Sequence, residues 1–419
     1  MANTWYKVDN VAKVFLAANN RRDPRVFRVS CTLNEPVDPA MLEAALGRTA
    51  RELPQFQVTL HRGLFWHYLE STAKRPHVEA EDKAPCAAIY GPDQKNQLLY
   101  RVSYYGDRIN VEMFHALSDG NGGMVFLKIL VHNYLQLRYP DILGSVPRQQ
   151  SASAADMEQD SFQKFYGRRK PGGGAPPKKE HTYRMHGLHL PYGQHQFFEA
   201  HIPVKAVLEK SRALGVSLTS YLAAAQLCAV YQEMPALEHG RAIALSLPVN
   251  LRNYYPSATA RNFFNSIRVS YTFSGAESFA EVARAFDARL KDALTVDNIK
   301  ARMDSFEKLE QLPGVKPVPL ILKNWAVSFF NWLESRNVTL TLSNMGPITV
   351  PEAVRPYLKG FTAFCSSDTL FTTVCSYGGE LVLGTCSGYR STNVLKGFYR
   401  SLAASGLDVT IYATEVFDQ

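Results

Sequence analysis

The most constraining feature of the sequence is a strand, a glycine-rich turn and a helix that follow one another between residues 109 and 137. Apolar residues alternate along 109–114, which is the period of a half-buried strand, and His115 falls on the apolar face. From Met124 onward, apolar residues recur at helical spacing. The helix therefore has an apolar face that must pack on the rest of the chain.

The turn between this strand and helix carries His115, Asp119 and Gly120. Such a short turn can hold a strand-end imidazole in one orientation, with Asp119 folded back under the strand and Gly120 supplying backbone freedom. We predict that Asp119 orders the histidine loop and does not touch substrate. The alternative is that His115 is a core histidine without a chemical role, as a lone histidine on an apolar strand often is.

The pattern His115-x-x-x-Asp119-Gly120 resembles the signature of the chloramphenicol-acetyltransferase-like acyltransferases. That superfamily includes the condensation domains of nonribosomal peptide synthetases, plant BAHD acyltransferases and alcohol acetyltransferases. Condensation domains usually carry two consecutive histidines, whereas Phe114 precedes His115 here, which favours the stand-alone, CoA-using branches.

This resemblance implies an α/β fold of two chloramphenicol-acetyltransferase-like halves, each a mixed sheet flanked by helices. The halves would form a V-shaped pseudo-dimer with the reaction channel between them. On the sequence we place the first half at residues 1–145, a basic Gly/Pro-rich connector at 146–195 and the second half at 196–419.

Two segments of the second half add candidate site residues. Val249-Asn250-Leu251-Arg252, followed by Asn262, resembles the segment that in BAHD and related enzymes supplies an arginine to the motif aspartate, so Arg252 would bind Asp119. A buried carboxylate needs such a partner, and the arginine fork fixes its geometry. The alternative is an exposed arginine at a strand end.

The run Ser343-Asn344-Met345-Gly346-Pro347 is similar to one found in alcohol acetyltransferase-like and wax-ester-synthase-like relatives, where the strand reaches the active-site channel. By that resemblance Ser343 or Asn344 would donate a hydrogen bond to a developing oxyanion. The alternative is a polar strand end before a Gly-Pro turn.

Charge and composition limit the classes of binding partner that the sequence favours. A net charge of +8 and a pI near 9.0 suit an anionic ligand such as CoA, an acidic carrier protein or a membrane surface. The connector is either a solvated linker or a loop that contacts phosphate or carrier protein, and its lack of interleaved aromatic residues argues against a nucleic-acid partner. The six cysteines form no C-x-x-C pair, which predicts free thiols and no metal site.

The sequence shows neither the apolar core of a signal peptide at its start nor a run long enough to span a membrane, so we expect a cytoplasmic protein. Residues 318–332 are rich in large apolar side chains and predict a packed helix. The alternative for this helix is the wall or lid of an apolar substrate tunnel that touches a membrane, since aromatic residues beside Lys323 suit an interface.

The expected function is transfer of an acyl group from a CoA thioester to an alcohol or amine, with His115 as general base and without an acyl-enzyme. No cofactor is expected to be bound permanently; acyl-CoA or an acyl carrier protein would be the co-substrate, and a small hydrophobic molecule the acceptor. The alternatives are condensation of carrier-protein-bound substrates and a non-catalytic paralogue that binds pantetheine or another protein.

Overall fold

The computed structural model describes residues 4–91, 96–147, 157, 161–165, 181–300 and 318–414. The most basic and Gly/Pro-rich part of the predicted connector, residues 166–180, lies outside the described residues. The described chain forms a two-lobed α/β structure in which two mixed sheets are flanked by helices, as predicted.

The first lobe is built on a sheet with the strand order β12-β2-β7-β6-β5, in which β12 (Leu358–Cys365) comes from much later in the chain, beside a small sheet with the order β1-β4-β3. Its elements are β1 (Trp5–Lys7), α1 (Asn10–Ala18), β2 (Val26–Leu33), α2 (Pro39–Glu52), β3 (Val58–Arg62), β4 (His67–Ser71), β5 (Val78–Ala80), β6 (Tyr100–Tyr105), β7 (Arg108–Phe114), α3 (Gly120–Arg138), α4 (Pro140–Leu143) and, in the connector, α5 (Ser161–Phe165).

Local sequence explains where these elements begin. The Asp38 side chain accepts from the backbone N–H of Met41 and Pro39 occupies the first turn, so α2 starts at the predicted cap. Tyr105 pairs with Arg108 across a turn in which Gly106 has a φ of +56°, a conformation that suits glycine. The helices α2 and α3 pack together on the sheet and bury one continuous core.

The second lobe is built on a seven-stranded sheet with the order β10-β9-β11-β13-β14-β8-β15. Its elements are β8 (Gln196–Pro203), α6 (Val204–Ala213), α7 (Leu218–Glu233), β9 (Ile243–Asn250), β10 (Phe264–Tyr271), α8 (Phe279–Ala293), α9 (Leu320–Ser335), β11 (Leu340–Pro347), β12 (Leu358–Cys365), β13 (Leu370–Tyr377), β14 (Glu380–Ser387), α10 (Asn393–Ala404) and β15 (Thr410–Ala413).

Helix α7 is the centre of the second core. The Ser217 hydroxyl caps it by accepting from the Ser220 N–H, and its residues are buried on nearly all sides because α8 and α10 pack against it. The all-round apolar sequence of this helix predicted that burial, and the prediction is confirmed.

Strand β12 links the lobes. It follows β11 and precedes β13 in the chain, but it pairs antiparallel with β2 and completes the first sheet, with Phe361 opposite Cys31. A segment that the sequence division places in the second half thus belongs to the first sheet. The alternation of a strand predicts its two faces, and it carries no information about which distant strand becomes its neighbour.

Helix α9 differs from the packed helix that the sequence predicted. Most of the predicted segment 318–332 forms a helix, which runs over Leu320–Ser335, but it is not packed in a core, because Leu320 is its only buried residue. It lies across α1, where the Ser328 hydroxyl donates to the Ala17 carbonyl oxygen at 2.6 Å. An apolar helix in sequence is usually read as a core helix, and this one instead keeps most of its large side chains exposed.

Candidate active site

The predicted site residues come from three separate segments, and the fold brings them together along one channel of about 2910 Å³ between the lobes. Elements of both lobes line it, including α1 and α3 on one side and β9, β10 and β11 on the other. The predicted residues that line this channel are His115, Asp119, Gly120, Arg252, Ser343 and Asn344.

His115 directly follows the last residue of β7, and its position is fixed by the backbone. Its N–H donates to the Arg25 carbonyl oxygen at 2.8 Å, and its carbonyl oxygen accepts from the side-chain amide of Asn262 at 3.0 Å. The imidazole stacks on the ring of Phe15, with centroids 4.2 Å apart and an interplanar angle of 17°. Phe27 and Phe264 complete an aromatic enclosure.

This enclosure sets the protonation of His115. Burial lowers the pKa of the imidazole to about 4, and the negative charge of Asp119 and the neighbouring side chain of Asn262 oppose that effect only partly. Nδ1 is buried without a hydrogen-bond partner among the described residues, which leaves Nε2 as the nitrogen that can face the channel. The ring is therefore neutral at physiological pH and has a lone pair to offer.

Asp119 is the N-cap of α3, and its carboxylate is buried. Its Oδ1 accepts from the Gly122 N–H at 2.9 Å, and its Oδ2 accepts from the Phe263 N–H at 2.9 Å and from Arg252 Nη1 at 2.8 Å. Each carboxylate oxygen thus has partners within the protein. The predicted contact between Asp119 and Arg252 is present, and the aspartate orders the turn.

Arg252 also organises the segment that follows it. Besides Asp119, its guanidinium donates to the carbonyl oxygens of Thr259, Arg261 and Phe263. The loop from the second lobe is thereby folded around the motif of the first lobe. The Ser118 hydroxyl adds a further link by donating to the Ala260 carbonyl oxygen at 2.6 Å.

Asn262 is a site residue to which the sequence assigned no role. It is buried, and its amide group donates both to the His115 carbonyl oxygen and, at 3.3 Å, to Asp9, which caps α1. Since α1 carries Phe15, this one side chain fixes the histidine backbone and the helix whose ring covers the imidazole. Its spacing of ten residues after Arg252 was the only signal in the sequence.

Ser343 and Asn344 differ in what they can do. The Asn344 side chain accepts from the Gly346 N–H at 2.8 Å and donates to the Thr219 hydroxyl at 2.9 Å, so it shapes the end of β11. The Ser343 hydroxyl has no partner among the described residues and lines the channel. Of the two predicted donors, Ser343 is the one that is available.

Met345, which the sequence did not single out, reaches the catalytic turn. The register of β11 against β13 shifts between Asn344 and Gly346, and Gly346 has a φ of +75°. This bulge directs Met345 onto α3, where its Cε would lie 3.5 Å from a Cβ added to Gly120.

Gly120 does not have the role that the sequence indicated. It is the first residue of α3 with an ordinary helical backbone, and an added Cβ would make only a normal contact. The glycines that are required for space are Gly122 and Gly123, whose added Cβ atoms would lie 2.1 Å from the Ala260 carbonyl oxygen and 2.4 Å from the Phe27 ring. At Gly122 the two lobes, and at Gly123 the helix α3 and the strand β2, approach each other more closely than a side chain would allow.

Among the described residues, no cluster of three or more His, Cys, Asp or Glu side chains has the arrangement of a metal site. The six cysteines, all of which are described, are free thiols, and five of them are buried.

Comparison with known proteins supports the fold. A family model described as the C-terminus of phthiocerol/phthiodiolone dimycocerosyl transferase matches residues 203–356. Polyketide synthase associated protein 5 from Mycobacterium tuberculosis superposes with a TM-score of 0.60 at 14% identity, over 95% of this chain and 97% of that one. The chain has the chloramphenicol-acetyltransferase-like fold. The resemblance drawn from the sequence is therefore confirmed at the level of the fold.

Other structures with the chloramphenicol-acetyltransferase-like fold agree. TRI101 of Fusarium sporotrichioides, solved with coenzyme A and T-2, has a TM-score of 0.64 at 12% identity and covers 97% of this chain and 99% of its own. The first condensation domain of the CDA synthetase has a TM-score of 0.57 at 15% identity, with 95% of each chain covered. No curated protein sequence matches this chain significantly.

Proposed function

We propose that this protein transfers an acyl group from a CoA thioester to an alcohol or amine, with His115 as general base. The observation that carries the proposal is the neutral imidazole at the channel, buried at Nδ1 and held by backbone contacts. A base must be unprotonated at working pH and within reach of the nucleophile's proton; the lowered pKa supports the first condition, and Nε2 is the nitrogen that can face the channel.

The reaction follows from these groups in a single displacement. The acceptor hydroxyl or amine gives its proton to Nε2 of His115 as its oxygen or nitrogen attacks the thioester carbonyl carbon. The resulting tetrahedral oxyanion would be stabilised by the free hydroxyl of Ser343. Its collapse breaks the carbon–sulfur bond, and the thiolate takes the proton back from the imidazolium, so no acyl-enzyme forms.

The channel suits two substrates at once. It is lined from both lobes, so that a thioester and an acceptor can meet at His115, which removes much of the entropic cost of bringing two molecules together. Its cationic side chains, which include Lys128, Arg184 and Arg268, can meet the phosphates of CoA. The structure of TRI101 with coenzyme A and T-2, and that of a condensation domain with C8-CoA, support a CoA thioester as donor and a small hydrophobic acceptor.

Condensation of substrates carried by an acyl carrier protein in trans is the second candidate, favoured by the similarity to condensation domains and to polyketide synthase associated protein 5. In both cases the thioester is a co-substrate and no permanent cofactor is needed. Free cysteines fit a reducing compartment, and we keep the cytoplasm as the proposed location.

The test is thiol release from a panel of acyl-CoAs in the presence of mixed alcohols and amines. We expect acceptor-dependent release that falls by roughly 10²–10⁴-fold in His115→Ala, the usual worth of a general base. The matched control is His77→Ala, an exposed histidine of the same lobe that does not line the channel. Turnover only with acyl carrier protein would establish condensation, and no turnover with either donor would identify a binding protein.

A further inference from the structure

All four tryptophans of the chain are exposed. Trp5, Trp66, Trp325 and Trp332 have 65%, 61%, 70% and 49% of their surface accessible, although tryptophan is on average a highly buried residue. They lie on only three elements: β1, the turn between β3 and β4, and α9. Four exposed indoles in one region indicate that the region has a purpose other than packing inside the protein.

These three elements are joined to one another. Strand β1 pairs with β4 in the small sheet, where Trp5 stacks on Tyr68 with ring centroids 4.9 Å apart. The start of α9 is attached to the β3–β4 turn, since the Leu320 N–H donates to the Leu64 carbonyl oxygen at 2.9 Å and Lys323 Nζ donates to the Phe65 carbonyl oxygen at 3.2 Å. The tip of the hairpin and the helix therefore form one continuous surface.

The helix contributes an apolar stripe to this surface. Ile321, Trp325 and Phe329 recur every four residues, and all three are exposed, with the rings of Trp325 and Phe329 stacked 5.9 Å apart. Leu64 and Trp66 continue the stripe on the hairpin tip, where Leu64 is 72% exposed. We call this set, with Trp5, the aromatic surface; its members are Trp5, Leu64, Trp66, Ile321, Trp325 and Phe329.

Charge around the aromatic surface has a definite arrangement. Between Leu320 and Leu333 the only charged residue of α9 is Lys323. Exposed cations lie at the two ends: Arg62 stands at the end of β3, and Arg336 follows α9 with its guanidinium 4.6 Å from the Trp332 ring centroid. Indole and phenyl rings rimmed by arginine and lysine are the composition of a segment that lies in the headgroup region of a bilayer.

We propose that the aromatic surface docks on an anionic lipid membrane. An acidic carrier protein would need a mainly cationic and polar patch, whereas this surface is mainly apolar; its charged neighbours are Lys323 within α9, Arg62 and Arg336 at the ends, and Glu70, which accepts from the Trp5 indole. The net charge of +8 gives long-range attraction toward anionic lipid. Among the described residues, no single helix is long and apolar enough to cross a membrane. The helices α6 and α7 together have the length and composition of a membrane span, but they are bent by 84° relative to each other.

The docked surface adjoins the channel. The side of α9 that carries Val327, Phe330 and Asn331 lines the channel, whereas Ile321 and Trp325 do not. One helix would thus separate the bilayer from the space that leads to His115. This step rests on the proposed function: the acceptor or the acyl chain would be a membrane-resident molecule that reaches the channel past α9.

The experiment uses the full chain with vesicles of phosphatidylcholine alone and of equimolar phosphatidylcholine and phosphatidylglycerol. We expect the protein to sediment with the anionic vesicles and its tryptophan emission to shift to the blue, because the three indoles of the aromatic surface leave water. The double variant Ile321→Glu and Trp325→Glu should weaken binding by at least about tenfold, since each carboxylate would have to enter the apolar part of the interface.

The matched control is Leu188→Glu with Leu237→Glu, which changes two highly exposed leucines outside the aromatic surface and should bind as the unaltered protein does. Absence of vesicle binding, or equal loss in both double variants, would overturn the proposal. So would a dimer that the Ile321 and Trp325 changes dissociate, because a second copy would then be the occupant.

Failure of docking and failure of the proposed function give different results. With water-soluble acyl-CoA and acceptor, the Ile321 and Trp325 variant should retain thiol release, since neither residue lines the channel. Vesicle binding without any turnover would leave the docking surface in place and refute the transferase. Turnover without vesicle binding would support the transferase and refute the docking surface.

Discussion

His115 is held neutral by its surroundings and not by an ion pair. The rings of Phe15 and Phe264 exclude water from the imidazole, and Asp119, the nearest carboxylate of the motif, has its oxygens engaged by Arg252 and by backbone N–H groups. This differs from a triad, in which a carboxylate orients the histidine directly. Here the orientation comes from the main chain, through Arg25 and Asn262.

The pH dependence of the reaction should reflect this environment. Because burial lowers the pKa of His115 to about 4, kcat/KM should stay level through the ordinary histidine range near 6.5 and fall only at more acidic pH. Circular dichroism at each pH is the control, since the unfolded chain takes up a proton below about pH 6.5 and acid therefore also destabilises the fold. An acidic limb centred near 6.5 would show that the imidazole is solvated in the free enzyme.

Arg252→Ala should be strongly destabilising. It leaves the buried Asp119 carboxylate without its partner and removes donors from three carbonyl oxygens, so we expect a loss of roughly 3–5 kcal/mol in the free energy of unfolding. Urea unfolding measures it. The matched change is Lys359→Ala, which breaks an exposed pair with Asp107 and should cost no more than about 1 kcal/mol. Similar losses in the two variants would mean that the Arg252 pair is not buried in solution.

The variant Asn262→Asp tests whether Asn262 positions His115 or only stabilises the fold. An aspartate of the same shape cannot donate to the His115 carbonyl oxygen, and we expect a lower kcat with little change in KM, because the imidazole would shift relative to the nucleophile. The acidic limb of the pH profile should also move to higher pH, since a nearby negative charge favours the imidazolium. A purely structural role would lower stability and leave the pH profile unchanged.

At the scale of the element, the start of α3 is where sequence and tertiary contact are most tightly matched. Gly122 lies against the Ala260 backbone of the second lobe, and Gly123 lies against the ring of Phe27 on β2. The helix can approach both only because neither residue carries a side chain. The sequence alone places three glycines in this turn and does not show which of them face a neighbour.

Alanine substitutions distinguish these glycines. Gly123→Ala should destabilise by roughly 1–3 kcal/mol because its Cβ would overlap the Phe27 ring. Gly47 lies in the middle of α2, where an added Cβ would have no atom of another segment within 4 Å, so Gly47→Ala should stabilise by up to about 1 kcal/mol through helix propensity. Gly120→Ala should change stability little. Thermal unfolding of the three variants tests the assignment, which equal effects of Gly120→Ala and Gly123→Ala would contradict.

At the scale of the whole molecule, the lobes are joined by an ion cluster far along the chain from the motif. Arg108 on β7 donates to Glu199 on β8 at 2.7 and 2.9 Å, and His201 lies between Glu199 and Glu380 with both nitrogens at 2.9 Å. Although burial opposes it, hydrogen bonds from His201 and Arg108 hold the pKa of Glu199 at about 2. The hydrogen bond to Glu199 raises the pKa of His201 above its usual 6.5.

A raised histidine pKa gives stability that is complete below the unfolded pKa of about 6.5 and is lost as pH rises through the folded value. The free energy of unfolding of the natural chain should therefore fall above about pH 6.5. In His201→Gln this decline should be smaller, so that the difference between the free energies of unfolding of the two proteins narrows toward alkaline pH. Parallel pH curves would show that His201 is not charged in the folded protein.

Local signals predicted much of this structure, and long-range pairing did not follow from them. The caps at Asp38 and Ser217, the strand before His115 and the buried helix α7 depend on neighbouring residues, and the sequence predicted them. The Asp119–Arg252 contact was predicted from a family resemblance. Phe15 and Asn262 could not be placed near His115, because distant segments bring them there.

Strand β12 has a consequence for how the protein is made. The strand β2 lies between β12 and β7, and the ribosome reaches Leu358 more than two hundred residues after it has completed β7 at Phe114. At roughly 5–20 residues per second, the bare edge of β2 stays open for on the order of tens of seconds. During that time a nascent chain exposes an apolar strand edge that other chains can pair with. The first lobe is thus translated first, but its sheet is completed only after most of the chain has been made.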